Sequence, residues 1–474
     1  MTRAAMLPPI IQGGMGVAVS DWRLARAVAA TGQLGVVSGT ALDAVLARRL
    51  QNGDVGGHMR RALAAFPFPE IAAELLDTYF LPEGRAGRPY RPIPKTTLDR
   101  NPKHERLSVA ANFVEVWLAK EDGGAVGINF LTKLQMATPP AMYGAMLAGA
   151  DAVLMGAGIP REIPRLMDDF AAGRAGGVSV DAIVPEGTPT PRLVFDPEET
   201  LGAAPRLPRP AFLAIVTSET LAGYLARTDD TRPDGFVVEH HSAGGHNAPP
   251  RRMQDTETGY GPLDEANLAK MAAVGLPFWL AGSRATAEGL RDAQSHGARG
   301  IQVGSLFALS RDSGLRDELR EQMLDHARAG QLHVRTDHRA SPTGFPFKVV
   351  EVAGTIGSRA TYEARPRLCD LSYLRTPVID AEGRTRYICA SEPEHKYLDK
   401  GGDPADLTDR LCLCNGLMAA VGLGQERPDG YVEAPLLTLG SSGTGVAEML
   451  ERFPDGWSAA ELVATLLGEE PATR

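Results

Sequence analysis

The chain has 474 residues, of which 43% are hydrophobic, 23% charged and 6% aromatic; this excludes a disordered polymer and a short disulfide scaffold, and leaves room for an eight-stranded barrel with additions. Its 49 basic and 58 acidic residues give a net charge of −9, the wrong sign for a nucleic-acid surface, so the expected partner is a small molecule. No run approaches the roughly 20 apolar residues that span a bilayer, no basic-then-apolar leader opens the chain, and cysteine is scarce, so a cytoplasmic protein with no membrane partner is expected.

In chain order, short apolar runs that end in glycine or small polar residues predict strands at Pro9–Gln12, Leu34–Ser38, Val126–Leu131, Ala152–Gly156, Phe212–Thr217, Gly235–His240, Phe278–Gly282 and Gly300–Gly304. Helical alanine- and leucine-rich stretches alternate with them, the βα signature of a parallel sheet. Eight such units, with no G-x-G-x-x-G after the first strand, predict a (β/α)8 TIM barrel over residues 1–330 rather than a doubly wound sheet. Proline-rich insertions fall at about 53–106 and 160–210, where the composition resists regular structure. Leu107–Glu121 reads as an amphipathic packing helix and Asp312–Ala329 as a charged one. Residues 331–474 form an irregular C-terminal extension that holds all four cysteines, with a short amphipathic helix at Trp457–Leu467.

Four places carry candidate chemistry. The first strand runs into Gly13-Gly14-Met15-Gly16, where backbone can lie against a flat ring or simply turn tightly. Asn129 is an amide in an apolar strand and needs a hydrogen-bond partner, from a ligand or from neighbouring backbone. The last two strands end in Ala281-Gly282-Ser283 and Val303-Gly304-Ser305, at the position where barrels bind phosphate. The sixth strand leads to His240-His241-Ser242-Ala243-Gly244-Gly245-His246. A metal site, polar loop histidines and an acid–base histidine all compete there; no cysteine or helical histidine pair sets ligand geometry, so no metal is assigned and His246 is taken as acid or base.

Taken together, Ile11-Gln12-Gly13-Gly14-Met15-Gly16, Gly127-Ile128-Asn129, Ser242-Ala243-Gly244-Gly245-His246, Ala281-Gly282-Ser283 and Gln302-Val303-Gly304-Ser305 resemble the nitronate monooxygenase (2-nitropropane dioxygenase-like) flavoproteins over roughly residues 8–310. The resemblance implies a TIM barrel with non-covalent FMN and His246 as catalytic residue. It also implies that Gly14, Met15, Asn129, Gly244 and Gly245 bind the flavin and that Gly282, Ser283, Gly304 and Ser305 bind its phosphate. The implied reaction oxidises alkyl nitronates with dioxygen to a carbonyl compound and nitrite. One departure is the fifth strand, which lacks the lysine many members carry. The alternative within the same superfamily is an enoyl-thioester reductase using NAD(P)H, and a non-catalytic flavin-binding barrel is the third reading. A homo-oligomer is compatible with all three.

Cys369, Cys389, Cys412 and Cys414 are numerous enough for a four-thiolate zinc or iron–sulfur site. Their spacings match no recognised motif, so buried apolar thiols are expected. Gly440–Gly445 reads as a flexible loop.

Overall fold

The computed structural model describes residues 3–469. Eight parallel strands form the barrel: β1 (Ile10–Gln12), β2 (Gly35–Ser38), β3 (Val126–Leu131), β4 (Ala152–Gly156), β5 (Ala211–Val216), β6 (Gly235–Glu239), β7 (Phe278–Ala281) and β8 (Gly300–Val303). Each coincides with a predicted run to within one residue at either end. Neighbouring strands pair all the way round from β1 through β8 and back to β2. The barrel closes where Ile11 pairs with Leu34; Gln12 N donates to the Leu34 carbonyl at 3.0 Å and Leu34 N to that of Ile10 at 3.2 Å. The chain is a (β/α)8 barrel.

The barrel interior is packed rather than hollow. Ile11, Val36, Leu154, Leu213, Val237 and Trp279 form one buried cluster inside it, and Trp279 Nε1 donates to the Pro8 carbonyl at 3.0 Å. Ala4, from the short turn Arg3–Met6, joins this cluster. Space therefore remains only at the carboxyl ends of the strands, where barrels place their sites.

The two insertions contain more regular structure than their proline content predicts. The first holds helices His58–Ala64 and Pro69–Tyr79; the second holds helix Ile163–Ala171, an antiparallel hairpin (Gly176–Ser179 with Arg192–Phe195) and helix Pro197–Leu201. Several prolines sit in a first helical turn, where the missing N–H has no intrahelical partner to lose. Residues 80–101 are irregular.

The helix predicted at Leu107–Glu121 spans Pro102–Lys120 and is not amphipathic, because it is buried along nearly its whole length, polar Asn112 and Glu115 included. Helices Trp22–Ala29 and Leu42–Gln51 pack against it, as does Thr138–Leu147, so it has little solvent face. Glu115 accepts from Trp22 N at 3.0 Å and pairs with Arg49, which also bonds Asp21 at 3.0 Å. That pairing satisfies charges that burial would otherwise penalise.

The predicted charged helix spans Asp317–Arg328. Beyond it the chain makes two short hairpins, β9 (Val334–Asp337) with β10 (Phe347–Val350) and β11 (Thr376–Ile379) with β12 (Thr385–Ile388), plus short helices and long irregular connections. The last helix is Ala459–Leu467, opened by a reciprocal cap between Ser458 and Glu461. One continuous hydrophobic core runs from Ile10 to Leu466. Trp457, fully buried, donates its indole N–H to the Leu306 carbonyl at 2.8 Å.

Candidate active site

A cavity of about 250 Å³ opens at the carboxyl ends of the strands. Its floor starts from β1. Gln12, fully buried in that strand, accepts from Val36 N at 2.8 Å and donates to Ser20 Oγ at 2.8 Å. Ser20 Oγ donates to the Gly13 carbonyl and accepts from Met15 N, each at 2.9 Å. Two polar side chains thus hold the Gly13–Gly16 loop in place. Asn129, from β3, donates its amide to the Gly14 carbonyl at 3.3 Å, so part of its hydrogen-bonding capacity goes to the backbone of the same loop.

The wall opposite comes from β6, β7 and β8. Gly245 (φ +80°) and Gly282 (φ +86°) adopt the left-handed conformation that favours glycine. A Cβ at Gly245 would meet nothing within 4 Å, and one at Gly304 would meet only Met15. Gly245 therefore faces open space, and Gly304 faces the Met15 side chain. At the carboxyl ends of β6 and β7 a chain of hydrogen bonds runs from Glu265 Oε1 to His240 Nε2 (2.8 Å), from His240 Nδ1 to Ser242 Oγ (2.7 Å) and from Ser242 Oγ to Ser283 Oγ (2.6 Å). Gly440 N donates to Ser305 Oγ at 2.8 Å. Gly14, Met15, Asn129, Gly244, Gly245, His246, Gly282, Ser283, Gly304 and Ser305, all singled out from the sequence, line this one cavity.

The roof comes from the C-terminal extension, which the sequence did not connect to the site. Leu374, Cys414, Leu417, Thr438 and Leu439 line the cavity, as do Gly440, Ser442, Gly443 and Thr444 of the loop expected to be merely flexible. Thr438 Oγ1 accepts from Gly245 N at 2.9 Å, and Ser441 N donates to the Ser242 carbonyl at 2.9 Å. Residue His246 pairs with Phe347 of β10 in an isolated antiparallel bridge, and its ring meets the Phe347 ring edge-on at 4.9 Å. Its Nε2 lies 2.8 Å from Ser341 Oγ. Burial, reinforced by the nearby Lys133 charge, lowers the His246 pKa to about 4, so the imidazole is neutral at neutral pH.

Two polar residues of the barrel strands line the cavity without having been picked out as site residues. Glu239 ends β6, and burial raises its pKa to about 8. Its signal was a carboxylate at the end of the apolar run Phe236-Val237-Val238. Gln302 of β8 lines the cavity and its Oε1 is buried without a partner. Position alone could have marked it, since alternate strand residues face the barrel axis. The other two histidines of the sixth-strand cluster do not line the cavity, and His240 reaches it through Ser242. His241 stacks on Tyr260 at 4.6 Å, and with His240 and Glu265 it forms a group that brings possible ligand atoms within 4.8 Å.

The residues present suit a flavin: the orphaned Gln302 Oε1 can accept from a ring N–H, and Ser305 Oγ, which accepts from Gly440 N, keeps its own hydrogen for a phosphate oxygen. No protein-family model matches the chain, and no curated protein does. Solved structures that match include FabK from Thermotoga maritima, 15% identical over 74% of this chain and 75% of that one, with a TM-score of 0.41. A FabK mutant from the same organism is 14% identical over 99% and 95%, with a TM-score of 0.44. Nitroalkane oxidase from Streptomyces ansochromogenes is 15% identical over 98% and 95%, with a TM-score of 0.42.

Proposed function

We propose that this chain is an FMN-dependent oxidoreductase that oxidises alkyl nitronates, with dioxygen as terminal acceptor, to a carbonyl compound and nitrite. The observation that carries the reading is the enclosed, neutral His246 in the wall of a glycine-lined cavity. A neutral imidazole is free to accept the α-proton of a nitroalkane, as a weak base at this pKa, and for a nitronate that arrives deprotonated it is a hydrogen-bond partner of the nitro group. When bound, FMN supplies the electron acceptor that no side chain provides.

The remaining roles fall to the chain's own residues. Gly282, Ser283, Gly304 and Ser305 are the candidates to hold the phosphate; Gly14, Met15, Asn129, Gly244 and Gly245 are the candidates for the ring, with Gln302 as a polar partner. Ser341 orients the His246 ring through Nε2. Lys133, whose charge acts on His246, favours an anionic substrate nearby. The enoyl-thioester reductase alternative asks the same histidine to give up a proton to the substrate's α-carbon, so the two readings share His246 and differ in the source of the electrons.

An anaerobic flavin titration tests the choice. Bleaching of the yellow protein by propane-2-nitronate, followed on aeration by oxygen uptake and nitrite release, is the expected result. Rapid bleaching by NADH or NADPH alone would replace this reading with the reductase, and a colourless protein would remove both.

A further inference from the structure

Adjacent residues of a strand point to opposite faces. Strand β6 ends at Glu239, so His240 and His241 escape that alternation, and their rings lie side by side with centroids 4.0 Å apart. Tyr260 extends the stack, 4.6 Å from His241 and within 7° of parallel to it. It is itself pinned, because it is buried and its hydroxyl donates to the Ala248 carbonyl at 2.7 Å. The stack therefore supports two imidazoles without using their ring nitrogens.

Those nitrogens converge on one carboxylate. Glu265 follows the short turn Pro262–Asp264, and its Oε1 lies 2.8 Å from His240 Nε2 and 3.6 Å from His241 Nε2. The three possible ligand atoms all lie within 4.8 Å of one another. An ion bound at about 2.0 to 2.2 Å holds tetrahedral donors about 3.3 to 3.6 Å apart. Small side-chain rotations close the difference, and Glu265, 53% exposed, has the freedom to make them.

The groups behind the histidines suit ligands. His241 Nε2 is beyond hydrogen-bonding reach of Glu265, and its buried Nδ1 has no partner. Asn247 is 2% exposed, its Oδ1 has no partner either, and it lines the same cavity of about 40 Å³ as both histidines. Coordination through Nε2 leaves the proton of a neutral imidazole on Nδ1, which then needs an acceptor. For His241 that acceptor is Asn247 Oδ1, across a space with room for a water. For His240 it is Ser242 Oγ: an ion that takes Nε2 turns Nδ1 from acceptor of Ser242 N (3.1 Å) into donor to Ser242 Oγ (2.7 Å).

We propose that His240, His241 and Glu265 bind a divalent transition-metal ion of the zinc class through the two Nε2 atoms and the carboxylate, with water completing the shell. Two histidines and a glutamate are a zinc donor set. Neither histidine lines the active-site cavity, but Ser242 does, and its hydroxyl reaches Ser283. With His240 donating to Ser242, the Ser242 hydrogen goes to Ser283, so the ion sets the direction of that chain. The proposal is independent of the nitronate reading, because metal binding is measured without turnover.

The test is titration of the full chain, after removal of metal by a chelator, with zinc by calorimetry and with cobalt(II) by visible spectroscopy. Expected are about one equivalent bound per chain and the intense absorption of four-coordinate cobalt. His241→Asn and Glu265→Gln should each weaken zinc binding by at least about tenfold. His333→Asn is the control: His333 Nδ1 faces Glu351 at 3.0 Å and its Nε2 faces Glu257 at 3.5 Å, so opposite nitrogens cannot close on one ion, and its zinc affinity should equal that of the parent. Binding well below one equivalent in the wild-type chain would overturn the proposal whether or not the variants fold. An affinity that neither site variant changes, or one lost in His333→Asn instead, would also overturn it.

Discussion

His246 and Ser341, 95 positions apart, share a hydrogen bond of 2.8 Å. Ser341 is fully buried and its Oγ also pairs with Thr343 Oγ1 at 2.7 Å, so the imidazole is held by a group that itself has no freedom to move. The extension thereby takes part in the candidate active site as well as in the core.

Removing that contact should cost orientation rather than flavin. A hydrogen bond of this kind contributes about 1 kcal/mol, so Ser341→Ala should lower kcat by about five- to tenfold. Flavin absorbance per chain should stay constant. A fall in flavin content instead of kcat would give Ser341 a structural role only.

The acid behaviour of His246 has a definite sign. Its folded pKa, about 4, lies below the ordinary 6.5, so the unfolded chain takes up the proton first and stability is lost as pH falls from about 6.5 towards 4. His246→Asn should flatten part of that decline in denaturant titrations. In the same window the base stays neutral, so its contribution to kcat/KM should remain level from pH 8 down to about 5.

Glu239 works in the opposite direction. Burial holds its pKa at about 8 against the ordinary 4.5, so the folded chain keeps a proton that the unfolded chain releases, and stability falls as pH rises from about 4.5 to 8. Flavin-free Glu239→Gln should therefore melt higher than the parent protein at pH 8 and with it at pH 4.5. Equal melting temperatures at both values would show that the carboxyl is solvated.

Ser242 joins His240 to Ser283. Ser242→Ala breaks that chain and frees the Ser283 hydroxyl to rotate, which should weaken FMN binding by about tenfold, or about 1.4 kcal/mol. Fluorescence titration of flavin-free protein measures this directly. Unchanged affinity would detach the His240 chain from phosphate binding.

The barrel could be read from the sequence because its determinants are local. A run such as Val126–Leu131 or Gly300–Val303 carries its strand character in its own residues, and eight such runs alternating with helices admit few topologies. The glycine turns at Gly14, Gly245, Gly282 and Gly304 were legible for the same reason, since they end those runs on the same side of the sheet. The first insertion was harder to read, because a proline such as Pro69 disrupts or begins a helix according to its position in the turn. The helix Pro102–Lys120 misled because periodicity reports which residues are apolar, whereas the neighbours that bury its polar face come from distant elements.

The sequence by itself determined the barrel, the glycine turns and the candidate histidine, all consequences of backbone preference and hydrophobic period within a few residues. Only the tertiary structure decided that Ser341 and Thr438 reach His246 and Gly245, that Cys414 lines the cavity and that His246 is neutral. Those facts depend on burial and on contacts between segments far apart in the chain, and neither is written in local composition.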